Sequence, residues 1–186
     1  MKKIPYYKLL RFLAQHRDFE VLKERFPSLT DSDVKQALLK GAEVLEKSLK
    51  RIDILNIYTD GAAIPNPGPS GIGIVIYNDK NEKINEIFKP IGATTNNIAE
   101  YYAIEEALKE AKRIDSKRIN IFSDSKLLVN QLGGSYKIND KSLLKLYLKI
   151  KNLEKNFEEV NYNFISREEN KLADKLSKLA IKKLLR

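Results

Sequence analysis

The spacing of apolar positions changes near residue 52, and the two sides of that change predict different architectures. On the N-terminal side the intervals are helical. Pro5 suits the first turn of a helix over Tyr6–Gln15, a second short helix over Asp18–Phe26 stops at Pro27, and Thr30 is placed to cap a third. That third helix has Asp31 and Asp33 in its first turn and Val34, Leu38, Leu45 and Leu49 at helical spacing. From Ile52 the pattern is that of strands. Ile52–Tyr58 is rich in β-branched and aromatic residues, and Asp60 closes it before Gly61 and the turn-rich segment Ile64–Pro69. Ile72–Tyr77 is a second apolar run and Lys83–Lys89 a third, which together predict an antiparallel meander.

Thr95 suits the cap of a helix running to about Arg113, whose Ala99, Ala103, Ala107 and Ala111 form a face small enough to lie close on a sheet. A fourth strand, Arg118–Ser123, stops at Asp124. Helices follow over Ser125–Leu132 and Asp140–Asn156, broken by Gly133 and Gly134, and a fifth strand, Val160–Ile165, leads into a terminal helix over Glu168–Leu185. The order β-β-β-α-β-α-α-β-α predicts an α/β domain over residues 52–186, a mixed sheet flanked by helices with right-handed crossovers to the later strands. A small all-α module, residues 1–51, precedes it without a Gly/Ser linker.

Composition narrows the chemistry. The 186 residues include no cysteine and one histidine, which excludes disulfides, thiolate catalysis and Cys- or His-rich zinc sites. Any metal must be held by oxygen, which favours Mg²⁺ or Mn²⁺. No stretch is long and apolar enough for a membrane span, and the N-terminus lacks the order of a signal peptide, so the sequence reads as soluble and cytoplasmic. A formal charge of +9 suggests a polyanionic partner; residues 1–51 contribute +5 of it.

Asp60 and Asp124 both stand where strands end. If those strands are neighbours, the two aspartates face one crevice beyond the sheet. Glu100 lies on the packing side of its helix, away from Glu105, Glu106 and Glu110, which read as exposed, and Asp174 is flanked by Leu172, Ala173 and Leu176. Each has an ordinary reading as a turn residue, a cap or a solvated charge. Together they fall in a recognisable order.

Tyr58-Thr-Asp-Gly61, Asn66-Pro-Gly-Pro-Ser-Gly-Ile-Gly73, Thr94-Thr-Asn-Asn-Ile-Ala-Glu100, Phe122-Ser-Asp-Ser125 and Ser166-Arg-Glu-Glu-Asn-Lys-Leu-Ala-Asp174 resemble the successive signature segments of type 1 ribonuclease H. The resemblance covers about Ile52–Arg186. It implies a ribonuclease H-like five-stranded mixed sheet of order 3-2-1-4-5, with the family's acidic quartet at Asp60, Glu100, Asp124 and Asp174. The activity implied is hydrolysis of the RNA strand of an RNA–DNA hybrid by two Mg²⁺ or Mn²⁺ ions, leaving 5′-phosphate and 3′-hydroxyl ends. In that scheme Asp60 is shared between the ions, Asp124 serves the nucleophile side and Glu100 the leaving-group side. Asp174, on a mobile terminal helix, is the most forgiving. By the same resemblance Asn66, Asn96 and Asn97 read the RNA 2′-hydroxyl and Thr95 contacts a DNA phosphate.

Two departures stand out. The loop before Asp174 has Arg167 where many members have a histidine, and a guanidinium acts electrostatically, not as a proton shuttle. The basic, Trp-rich protrusion of some members is missing: Gly133–Asp140 offers only Lys137. Hybrid binding then falls to other cations, such as Lys171, Lys175, Lys178 and Lys182 of the terminal helix. Residues 1–51 offer an extra nucleic-acid or protein contact, but Asp31 and Asp33 open the helix that would have to read bases. His16, at the end of the first helix, reads as a surface or capping residue. The rival readings are a DNA junction resolvase on the same fold and a non-catalytic binding module.

Overall fold

The computed structural model describes residues 6–16, 19–49 and 52–185. The chain divides into two compact units, Met1–Arg51 and Ile52–Arg186. In the first, α1 (Tyr6–His16), α2 (Phe19–Arg25) and α3 (Asp31–Leu49) enclose Leu9, Leu22, Val34 and Ala37, with Phe12 and Phe26 edge to face at 5.7 Å. Thr30 and Asp33 cap α3 reciprocally. The Asp33 N–H donates to Thr30 Oγ1 at 3.2 Å, and the Thr30 N–H to Asp33 Oδ2 at 3.0 Å. The buried stripe of α3 differs from the sequence expectation: Ala37 is fully buried and Leu38 is 44% exposed. Small residues set this contact, with Gly41 facing Leu10 of α1. Asp18 and the side chains of His16, Leu45 and Leu49 lie outside the described residues.

The second unit contains β1 (Ile54–Ala63), β2 (Gly68–Asn78), β3 (Lys83–Thr94), α4 (Asn96–Ile114), β4 (Arg118–Ser123), α5 (Lys126–Leu132), α6 (Lys141–Glu154), β5 (Glu159–Phe164) and α7 (Lys171–Leu184). Its sheet has the order β3-β2-β1-β4-β5. β1 and β2, and β2 and β3, are antiparallel; β1 and β4, and β4 and β5, are parallel. This is the order the resemblance implies.

The strands of the meander run further than their apolar stretches. β1 continues past Asp60 because β2 remains beside it, Asp60 opposite Gly73 and Ala63 opposite Ser70. Likewise Gly68 pairs with Thr94, so the ends of β2 and β3 are strand where the sequence reads as turn and loop. Asp60 therefore does not close its strand. The parallel pairing of β1 with β4, however, stops at Tyr58 opposite Phe122, two residues before each aspartate. At the carboxyl edge of the parallel part of the sheet the two acids do stand together, as the crevice argument requires.

One face of the sheet packs Leu55, Ile57, Ile74, Ile76, Ile119 and Ile121 against Ile104 and Leu108 of α4 and Ile150 of α6. The alanine face of α4 is wholly buried. Glu105, expected among exposed acids, is only 7% exposed; Lys109 reaches it at 2.7 Å from the next turn. α7 covers part of the other face. A Cβ on Gly73 would lie 2.1 Å from the Ala173 carbonyl oxygen, so the helix rests directly on the backbone of β2. Its Ala173, Leu176, Ser177, Ala180 and Ile181 are buried. A terminal helix seated in this way is a packed wall of the domain, unlike the mobile helix the sequence suggested. Among the described residues no helix is long and apolar enough to cross a membrane.

Candidate active site

Backbone packing brings the four acids together. Asp60 and Asp124 are placed by β1 and β4. A Cβ on Gly61 would lie 2.2 Å from the Ala99 carbonyl carbon and the Glu100 nitrogen. A bare glycine therefore lets α4 rest on β1 and sets Glu100 beside Asp60. The contact of α7 with Gly73 supplies Asp174 from the opposite side of the sheet.

The acids are held in different ways. Ser177 Oγ–H donates to Asp60 Oδ2, and the same hydroxyl oxygen lies 2.9 Å from the main-chain oxygen of Asp174. Asn170 Nδ2 donates to Asp124 Oδ1 at 2.6 Å and to the Thr59 carbonyl at 3.0 Å. Asn170 is 1% exposed, and its Oδ1 is buried with no partner. Ser125, the cap of α5, hydrogen-bonds Glu100. Asp174 is paired with cations instead: Lys178 Nζ at 2.6 Å from Oδ2, and Arg167 Nη2 at 3.5 Å from Oδ1. Arg167 is thus turned to the site, although its side chain is 75% exposed.

The electrostatics follow from burial and crowding. Burial pushes the Asp60 carboxyl up to about 6, with the charges of Asp124 and Asp174 adding to the effect and the Ser177 hydrogen bond opposing it. Burial likewise lifts Glu100 to about 7; Asp60 and Asp124 raise it further and Ser125 opposes. The site holds more negative charge than its own donors compensate. As the side chains stand, no three acidic groups among the described residues surround one point as a ready ligand set. One oxygen of Asp60 is turned toward Ser177, one of Asp124 toward Asn170, and the two of Asp174 toward Lys178 and Arg167. The donor chemistry nevertheless fits a hard divalent cation: carboxylate oxygens, crowded, partly desolvated and short of positive charge.

The other expected residues gather at the start of α4. Thr95 caps that helix, its Oγ1 accepting from the Ile98 N–H at 3.4 Å. Asn96 Oδ1 accepts from the Ala63 N–H at 2.6 Å, and Asn66 Oδ1 from the Asn96 N–H at 3.1 Å. The amide oxygens of Asn66 and Asn96 thus clamp the β1–β2 loop to α4, and their Nδ2 groups take no part in these two bonds. Asn66, Thr95 and Asn97 line a cleft of about 440 Å³ with Pro67, Ile98, Asp140 and Leu143. The carboxylate of Asp140 is directed at the first turn of α6, accepting from Ser142 N at 2.7 Å and Leu143 N at 2.9 Å. The cations expected on α7 are partly engaged already: Lys171 pairs with Glu168, and Lys178 with Asp174.

Sequence reasoning missed Asn170 and Ser177. Asn170 lies inside the quoted Ser166–Asp174 segment, and Ser177 is a lone hydroxyl on the apolar stripe of α7. A polar residue on a packing stripe is a signal that marks Ser177; Asn170, just before α7, carries no such signal.

Sheet order, acid placement and the docking of α7 define the class first: an α/β domain of the ribonuclease H type. The chain belongs to the reverse transcriptase-like family, which it matches over residues 58–180. The Bifunctional protein Rv2228c of Mycobacterium tuberculosis is 36% identical over 122 residues, 65% of this chain and 34% of that protein, so the chain spans about a third of this relative's length. The uncharacterised protein YpeP of Bacillus subtilis is 30% identical over 177 residues. That match covers 88% of this chain and 77% of the relative, more than the second unit alone supplies, so it reaches into the helical module. The crystal structure of LC11-RNase H1 in complex with RNA/DNA hybrid superposes with a TM-score of 0.68 at 36% identity, covering 71% of this chain and 99% of that one.

Proposed function

We propose that the chain is a ribonuclease H, a metal-dependent endonuclease that hydrolyses the RNA strand of RNA–DNA hybrids and leaves 5′-phosphate and 3′-hydroxyl ends. The observation that carries the reading is the gathering of Asp60, Glu100, Asp124 and Asp174 at the carboxyl edge of β1 and β4, two of them held above the ordinary carboxylate range by burial. The likeness to a hybrid-bound ribonuclease H1 over nearly all of that structure supports the substrate class.

Two ions, Mg²⁺ or Mn²⁺, held by Asp60, Glu100, Asp124 and Asp174, would supply an activated water and stabilise the leaving 3′-oxygen. Asp60 would be shared between the ions, Asp124 would serve the nucleophile side and Glu100 the leaving-group side. The rest falls to the protein itself. Asn170 fixes the orientation of Asp124 while leaving Oδ2 of that carboxylate unengaged by Asn170. Arg167 adds positive charge at the rim, where a phosphate of substrate or product arrives, and moves no proton. Asn97, together with the Nδ2 groups of Asn66 and Asn96, reads the 2′-hydroxyl. Thr95, at the N-terminus of the 19-residue α4, meets a phosphate of the DNA strand. The basic module supplies a further contact with the nucleic acid.

Incubating the chain with labelled hybrid, duplex DNA or duplex RNA, in Mg²⁺ or Mn²⁺, tests the reading. Cleavage confined to the RNA of the hybrid is expected; cleavage of duplex DNA in preference to hybrid overturns it. Deleting residues 1–51 is expected to weaken hybrid binding and flatten its salt dependence. Unchanged affinity and salt slope would remove the module from substrate binding.

A further inference from the structure

Within that metal-dependent reading, we propose that Ser177 is a positioning residue that holds Asp60 as a one-oxygen ligand for the divalent cations. Ser177 has no exposed surface. It sits on the stripe of α7 that faces the sheet, between Ala173, Leu176, Ala180 and Ile181, all of them apolar. Its hydroxyl oxygen is close to two acceptors, Asp60 Oδ2 and the main-chain oxygen of Asp174, but it has one hydrogen to give. An ionised carboxylate is the stronger acceptor, so the proton goes to Asp60 and Oδ2 is engaged. Oδ1 is then the Asp60 oxygen that this hydroxyl leaves for a cation.

The helix cannot easily shift to relax this arrangement. A Cβ on Gly73 would come within 2.6 Å of the Ser177 nitrogen and 2.1 Å of the Ala173 oxygen, so α7 is already at its closest approach to β2. The hydroxyl therefore fixes the spacing between a strand-borne acid and the helix that carries Asp174. A serine that merely bonds back to the carbonyl three residues earlier would be an ordinary helix feature. That alternative gives it no effect on metal.

The two roles separate in Ser177→Ala, made in the full chain and titrated with Mn²⁺ alone by calorimetry. With Asp60 released, Mn²⁺ affinity is expected to fall about tenfold, the scale seen when a group that orients a metal ligand is removed. The kcat on hybrid should fall by a similar factor while KM stays unchanged. Ser177→Cys keeps a weak donor of similar size and should lie between the two; it keeps the test valid if the alanine variant does not fold. Mn²⁺ affinity and kcat equal to wild type in a folded variant would overturn the role of Ser177, as would a loss of chelator-treated stability without any change in metal binding. Asp60→Asn is the control: if it binds Mn²⁺ as tightly as wild type, the metal reading itself fails.

Discussion

Asp60 stands on β1 and Asp124 in the bend directly after β4, each with one oxygen held by a buried neutral donor, Ser177 or Asn170. Asp174 stands on a helix and has both oxygens paired with cations carried on long side chains, Lys178 and Arg167. A neutral donor fixes where a carboxylate points without cancelling its charge. A solvent-exposed cation does the reverse, lowering the charge while its flexible stem fixes little. These two acids are therefore oriented and still short of positive charge. The helix-borne acid is provisionally satisfied, and a metal or a phosphate must displace or join its partners.

The largest expected effect comes from the strand side. Asp60→Asn or Asp124→Asn should lower the rate of hybrid cleavage by on the order of 1,000-fold, the scale of removing a principal group that stabilises charge in the transition state. Asp174→Asn should cost roughly 10- to 100-fold less than that loss, and equal losses at all three positions would erase the distinction. Asn170→Ala removes the clamp on Asp124 and leaves the Thr59 carbonyl without its amide partner. About 10- to 100-fold in metal affinity or activity is expected, with about 1–3 kcal/mol in stability by denaturant unfolding. Smallest of these is Lys178→Met. It frees one oxygen of Asp174 and should lower the Mn²⁺ concentration needed for half-maximal rate by a few fold. A higher requirement would mean that Lys178 helps rather than competes.

The same contrast appears in pH dependence without metal. In the folded protein Asp60 and Glu100 keep their protons up to about 6 and 7, above the ordinary carboxylate range of an unfolded chain. Folding then takes up protons across that interval. The stability these groups contribute is fully present below about pH 4 and is lost as pH rises through about 6 and 7, on the order of 3 kcal/mol for each. Thermal unfolding in chelator should show this decline against Asp60→Asn and Glu100→Gln references, whose profiles lack the corresponding step. Adding Mg²⁺ should restore stability at neutral pH, since a cation bound to the folded state alone stabilises it. Parallel profiles for wild type and the two variants would show that burial does not set these carboxyls apart.

Much of this architecture is written locally. The change from helical to strand spacing at Ile52, the alanine face of α4 and the cap at Thr95 depend on neighbours a few residues away, and they appear where the sequence places them; Ser125 and Asp140, read as the first residues of their helices, are the caps of those helices. What depends on a distant partner was less legible. Ala62, Ala63 and Gly68 look like loop residues, and they are strand because β2 and β3 run alongside. Leu38 carries the larger side chain, yet Ala37 is buried, because α1 and α3 approach through small residues. The acids were found by their order along the chain, but the buried donors behind them were not. Asn170 is 46 residues from Asp124, and Ser177 is 117 from Asp60, so neither contact has a local signature. Asn96 was singled out as a reader of the 2′-hydroxyl. Its bond to Ala63, which serves the fold, became visible only in three dimensions.

The seating of α7 on Gly73 also has a meaning for the order in which the protein is made. Asn170, Asp174 and Ser177 all follow β5 in the sequence, whereas Asp60, Glu100 and Asp124 precede it. A nascent polypeptide that has reached β5 already has every strand of its sheet and three of its acids, but nothing to aim Asp60 and Asp124. Only when α7 settles against β2 does the constellation close, so the site comes into being after every strand of the sheet has been made.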